Sequence, residues 1–73
     1  MDRAILEQLL REAESLLQRG EHNIAYQRET IGTLERGGHD ATAAKMFLRR
    51  LESAHARHIA DRNRLFKELA DGS

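Results

Sequence analysis

The chain contains no cysteine and no proline, has only three aromatic residues (Tyr26, Phe47 and Phe66), and carries no net charge. Each absence removes a class of protein. Without cysteine there can be no disulfides and no thiolate metal sites. The lack of proline, with few β-branched residues against many Ala, Leu, Glu and Arg, favours helix. Twelve basic residues balance twelve acidic ones, so the basic excess of a nucleic-acid-binding module is missing. The polybasic segment of a membrane anchor is missing too. No stretch approaches the roughly 18 apolar residues of a spanning helix. The start, Met1-Asp2-Arg3-Ala4, turns acidic at once and does not read as a secretory signal. A cytoplasmic protein is expected, with neither membrane nor nucleic acid among its partners.

The chain is also short. Seventy-three residues make one domain at most, near the size at which a single core is only marginally stable.

What is present is a pattern. Asp2 can cap a helix, because its carboxylate can accept from the free amides of the first turn. From there Leu6, Leu10, Ala13, Leu17, Gly20, Ile24, Gln27, Ile31 and Leu34 follow in alternating steps of four and three. A mean step of about 3.5 residues is the seam of a left-handed helix pair. Leu9 and Leu16 widen that seam, while Arg3, Glu7, Arg11, Glu14, Arg28 and Glu35 fall off it. Gly20 costs about 1 kcal/mol relative to Ala inside a helix, yet the phase survives across it. A continuous helix over about 3–36 is therefore predicted, with Gly20 leaving room for a large side chain opposite.

The pattern stops at Gly37-Gly38-His39-Asp40. Gly37 or Gly38 can take the left-handed conformation that closes a helix, and Asp40 can cap the next one. A second helix is predicted over about 41–70, its seam formed by Ala44, Leu48, Leu51, His55, His58, Arg62, Leu65 and Leu69 and widened by Phe47, Ile59 and Phe66. Asp71-Gly72-Ser73 reads as a frayed end. A turn over 37–40 forces the helices side by side and antiparallel. The fold class is thus all-α, a single coiled-coil-like antiparallel two-helix hairpin spanning 1–73. Folding the chain at that turn sets Ile31 against Phe47 and Leu48, Gln27 against Leu51, Ile24 against His55, and Gly20 against His58.

The turn end of this hairpin is small, whereas the open end carries extra apolar side chains: Ile5, Leu9, Leu16, Ile59 and Phe66. Helical scaffolds below roughly 70–80 residues commonly need oligomerisation or another staple. A homodimer forming a four-helix bundle is the simplest one, and a larger protein partner is the other.

Few residues offer chemistry. His55 and His58 stand three apart on one helix face and could share a metal ion, but no Glu-x-x-His or His-Glu-x-x-His spacing accompanies them. As seam-edge histidines packed near Gly20 and Ile24 they need no metal. Histidine changes charge near pH 6.5, so acidification would set a cationic pair beside Arg62 and weaken the fold or the dimer. His22 lies on the outward side of the first helix. His39-Asp40 looks like half of a catalytic pair, but no Ser or Cys nucleophile is placed to use it; His39 can lie over the start of the second helix. Arg49, Arg50, Arg57, Arg62 and Arg64 make the second helix locally basic. They are read as a solvated face, with Arg57–Asp61 and Arg64–Glu68 pairing at i, i+4.

A resemblance is carried by the run from His55 to Leu69, by Gly38-His39-Asp40-Ala41-Thr42 and by Glu21-His22-Asn23-Ile24-Ala25. From about Ala13 to Leu69 the chain resembles a group of short uncharacterised bacterial proteins, common among soil and rhizosphere alphaproteobacteria. The resemblance implies a small soluble bacterial protein and transfers no activity and no catalytic residue. The expected function is therefore non-enzymatic and without a cofactor: association through helix faces, at a surface built from Leu9, Leu16, Ile59 and Phe66. The alternative is a metal-binding or pH-responsive protein using His55 and His58.

Overall fold

A computed structural model describes residues 2–72; Ser73, assigned above to a frayed end, lies outside the described residues. Two helices account for nearly all of it, α1 (Arg3–Arg36) and α2 (Thr42–Asp71), and no described helix is long and apolar enough to cross a membrane. They pack against each other as a rod of 55 × 14 × 13 Å. At 1.5 Å per residue the 34 residues of α1 span about 51 Å, so α1 runs almost the whole length of the rod.

Local signals account for the ends. Asp2, in extended conformation, accepts a hydrogen bond at Oδ1 from the Ala4 amide at 3.1 Å, and its carbonyl accepts from the Leu6 amide at 3.0 Å. α1 passes through Gly20 without a break. At its far end the His39 amide reaches back to the Leu34 carbonyl at 2.9 Å and the Gly38 amide to the Glu35 carbonyl at 3.1 Å. These are the paired bonds of a Schellman closure, which requires a left-handed residue. Gly38 supplies it, at φ 75°.

Asp40 does cap α2, but from one residue further out than a simple N-cap. Ala41 occupies the N-cap position and has no side chain to donate or accept. The Asp40 carboxylate accepts from the Thr42 amide at 2.9 Å and from the Thr42 hydroxyl at 2.6 Å. Ala41 itself is buried beneath the turn. The His39 ring lies against Gly37, where an added Cβ would sit 2.9 Å from His39 Cδ2.

The seam in α1 is where the 3-4 alternation put it. Leu6, Ala13, Leu17, Ile24 and Ile31 are buried, and Leu10, Gly20, Gln27 and Leu34 are half-buried. In α2 all eight seam positions, Ala44 to Leu69, are half-buried and none is buried. Two cylinders touch along a line, so no side chain on it is covered from every side. No side chain in the described structure is fully enclosed.

The register differs from the expected one by about a turn. Gly20 faces His55, not His58: a Cβ built on Gly20 would fall 2.5 Å from His55 Nδ1. Gln27 donates its amide to the Ala44 carbonyl at 3.1 Å, again closer to the turn than expected. Phe47, expected against Ile31, is 50% exposed. Asp61 pairs with Arg64 at 3.4 Å in place of the expected Arg57–Asp61 and Arg64–Glu68 pairs.

Two predictions follow from the turn. Gly38→Ala forces a Cβ into the left-handed region, which costs roughly 1–2 kcal/mol; a lowered melting temperature is expected, and an unchanged one would remove the Schellman turn as a determinant. The second concerns Asp40, whose carboxyl is held below its ordinary value of 3.8 by the hydroxyl and amide bonds from Thr42, with a smaller contribution from Lys45. A depressed value means stability present above the unfolded pKa and lost as pH falls through the folded one. Asp40→Ala should therefore melt earlier than wild type at neutral pH, with the gap closing as pH falls below 3.8. A gap that persists in strong acid contradicts the ionic cap.

Candidate functional site

The helices create a seam with two flanks, and the side chains sort between them by heptad spacing, since residues seven apart share a helix face. The first flank is ionic. Arg28 Nη2 meets Glu52 Oε2 at 3.1 Å and Lys45 Nζ meets Glu35 Oε2 at 2.9 Å, both between helices. These side chains are about half exposed, so each pair contributes about 0–1 kcal/mol; they hold register more than they add stability. Ile59 and Phe66 continue the row begun by Lys45 and Glu52, and Ile59 borders a groove with Glu14, Leu17, Glu21 and Arg62.

The second flank is apolar. Leu9 and Leu16 line a groove of about 290 Å³ with Ala13, His58, Asp61 and Leu65. A second groove of about 210 Å³ continues it, lined by Leu16, Gly20, Asn23, Ala54, His55 and His58. Phe47 extends the row of Ala54 and Asp61 toward the turn.

The four residues expected to form one surface are therefore divided. Leu9 and Leu16 lie on the apolar flank, while Ile59 and Phe66 lie across the rod on the ionic one. The 3.5-residue period identifies a residue as near the seam, but it does not say which side of the seam the residue takes. Heptad letters assigned to both helices would have separated them, because equivalent flank positions face each other in an antiparallel pair. Three exposed apolar residues outside the expected surface, Tyr26, Met46 and Phe47, sit toward the turn, where the side chains were expected to be small.

His55 and His58 both border the apolar flank. The His55 ring is the knob that fills the gap at Gly20, and its Nδ1 is buried with no hydrogen-bond partner. A lone pair left without a donor is the milder of the two ways an imidazole nitrogen can be orphaned, since an N–H there would need an acceptor. Among the described residues no three His, Cys, Asp or Glu side chains group closely enough to hold a metal ion. The possible catalytic pair does not assemble either: the Asp40 carboxylate is engaged by Thr42, and the His39 ring rests on Gly37.

On the outer face of α2, Arg49, Arg50 and Arg57 surround Met46 and Ser53 in a shallow, open depression. Among the described residues none of the three arginines forms an ion pair of the kind that Arg28, Arg64 and Lys45 make.

Comparison of the chain with family models, with curated proteins and with solved structures yields no match.

The Gly20–His55 contact is directly testable. Gly→Ala within a helix normally stabilises by about 1 kcal/mol, but here the methyl would strike the Nδ1 edge of a packed ring, and overpacking of that kind costs roughly 1–3 kcal/mol. Urea unfolding should show Gly20→Ala destabilising the wild-type chain and stabilising the His55→Ala chain. Equal effects in the two backgrounds would mean that the helices do not meet at this pair.

Proposed function

We propose that this protein is non-enzymatic and acts by association through its helix faces, either with itself as a homodimer in a four-helix bundle or with a larger protein. The observation that carries the reading is the imbalance between inside and outside. Among the described residues only Leu6, Leu17, Ile24 and Ile31 are large and buried, all on α1, while Ile5, Leu16, Tyr26, Met46, Phe47, Ile59 and Phe66 are large and exposed. Covering an apolar side chain of this size contributes about 1.5–3 kcal/mol, so a second layer of helices that covered even part of this set would add substantially to the buried apolar content. A chain of this length without disulfides commonly needs such a layer.

The rival reading, a metal-binding or pH-responsive site at His55 and His58, meets a packing difficulty. One nitrogen of His55 is closed off against Gly20, which leaves each copy at most Nε2 of His55 and the ring of His58 as ligands. Association needs no such rearrangement. A cytoplasmic setting suits the balanced charge and forms part of this reading.

Sedimentation equilibrium over a wide concentration range tests it. The expected result is a particle of twice the 8.4 kDa chain mass, with a melting temperature that rises with concentration. A chain that stays monomeric and still melts cooperatively at high temperature would sink the self-association arm.

A further inference from the structure

We infer that the flank carrying Leu9 and Leu16 is a two-fold interface with a second copy of this chain. The inference deepens the association reading and rests on it. Three faces of the rod could meet a partner, and charge separates them.

The flank of Ile59 and Phe66 is crossed by the Arg28–Glu52 and Lys45–Glu35 pairs, and toward the open end Glu14, Glu21 and Arg62 border its groove; a partner laid there would have to take both interhelical pairs out of water, a desolvation cost that their attraction does not outweigh. The outer face of α2 presents Arg49, Arg50 and Arg57 together. An isologous interface sets a patch against its own copy, so a patch dominated by one sign of charge repels itself. The Leu9–Leu16 flank has both signs in equal number. Glu12 and Asp61 stand against Arg64 in its first groove, and Arg19 joins them in the second. It is neutral toward a copy of itself, and no ion pair spans the two helices there among the described residues.

This flank also opens onto the half-covered seam. Leu51, Ala54, His58 and Leu65 of α2 line its grooves, so a partner laid along it would finish the burial that α1 alone leaves incomplete. Size agrees. A stable dimer covers about 800 Å² on each partner, and one long face of a rod 55 Å by 14 Å offers an area on that order. The occupant is therefore a second hairpin lying along the Leu9–Leu16 flank, with the Ile59–Phe66 flank left to solvent.

The test compares charge introduced on each flank. Leu16→Glu should raise the dimer dissociation constant at least about thirty-fold, as expected for a central anchor, while Phe66→Glu should leave it within about three-fold. A second measurement covers the case in which Leu16→Glu simply fails to fold. The natural chain has no cysteine, so Asn23→Cys on the proposed flank and Glu21→Cys on the other each give one alkylation site. Alkylation of Cys at 23 should slow as the concentration rises through the dimer range, and alkylation at 21 should not. A wild-type chain that is monomeric at every concentration overturns the association reading, and this inference with it. A dimer that dissociates on Phe66→Glu but not on Leu16→Glu, or that protects position 21 and not 23, overturns the flank assignment alone.

Discussion

The structure depends on one constraint: two helices joined by a short turn can share only a single line of contact. Apart from Ala41 at the turn, every buried side chain among the described residues lies on that line, and what stands next to it is half covered at best. The contact of Gly20 with His55 shows the constraint at work, since the missing side chain on α1 makes room for an imidazole from α2. Small-on-large packing of this kind lets two helices interlock without a third element. The most polar part of the seam lies around this contact, with His55, His58 and Arg62 in the places where a larger protein would have aliphatic side chains.

The seam was legible in the sequence because periodicity survives in any helix long enough to express it. Leu6 to Leu34 and Ala44 to Leu69 keep their spacing for many turns, and the pattern carried across Gly20 because a single glycine does not reset phase. The register was less legible. It depends on which glycine adopts the left-handed conformation and how the chain leaves it, a local matter decided by the bonds from His39 to Leu34 and from Gly38 to Glu35. A shift of one turn there moved the partner of Gly20 from His58 to His55.

The side of the seam taken by Ile59 and Phe66 was hidden for a different reason. A period of 3.5 residues describes distance from the seam without handedness, and only the interhelical ion pairs Arg28–Glu52 and Lys45–Glu35 reveal which rows lie together. The exposure of Phe47 could not be read at all, because an aromatic residue beside a seam has the same spacing whether a neighbour covers it or not. What the sequence cannot encode in a single chain is the layer that a second chain would provide.

The hairpin also has a polarity in time. Contacts near the Schellman turn, such as Lys45 with Glu35, close a very short loop, whereas Arg28 and Glu52 are 24 residues apart and the helix ends are farther apart still. Loop-closure entropy rises with that separation, so the two helices zip from the turn outward and their last contacts to form lie among Leu6, Leu10, Leu65 and Leu69. The same order in reverse governs opening: the end farthest from Gly38 is the first to fray. The Leu9–Leu16 flank lies toward that end, so binding there would act as a clasp on a zipper. It would slow the opening of a region that the turn, at the other end of a 55 Å rod, cannot restrain.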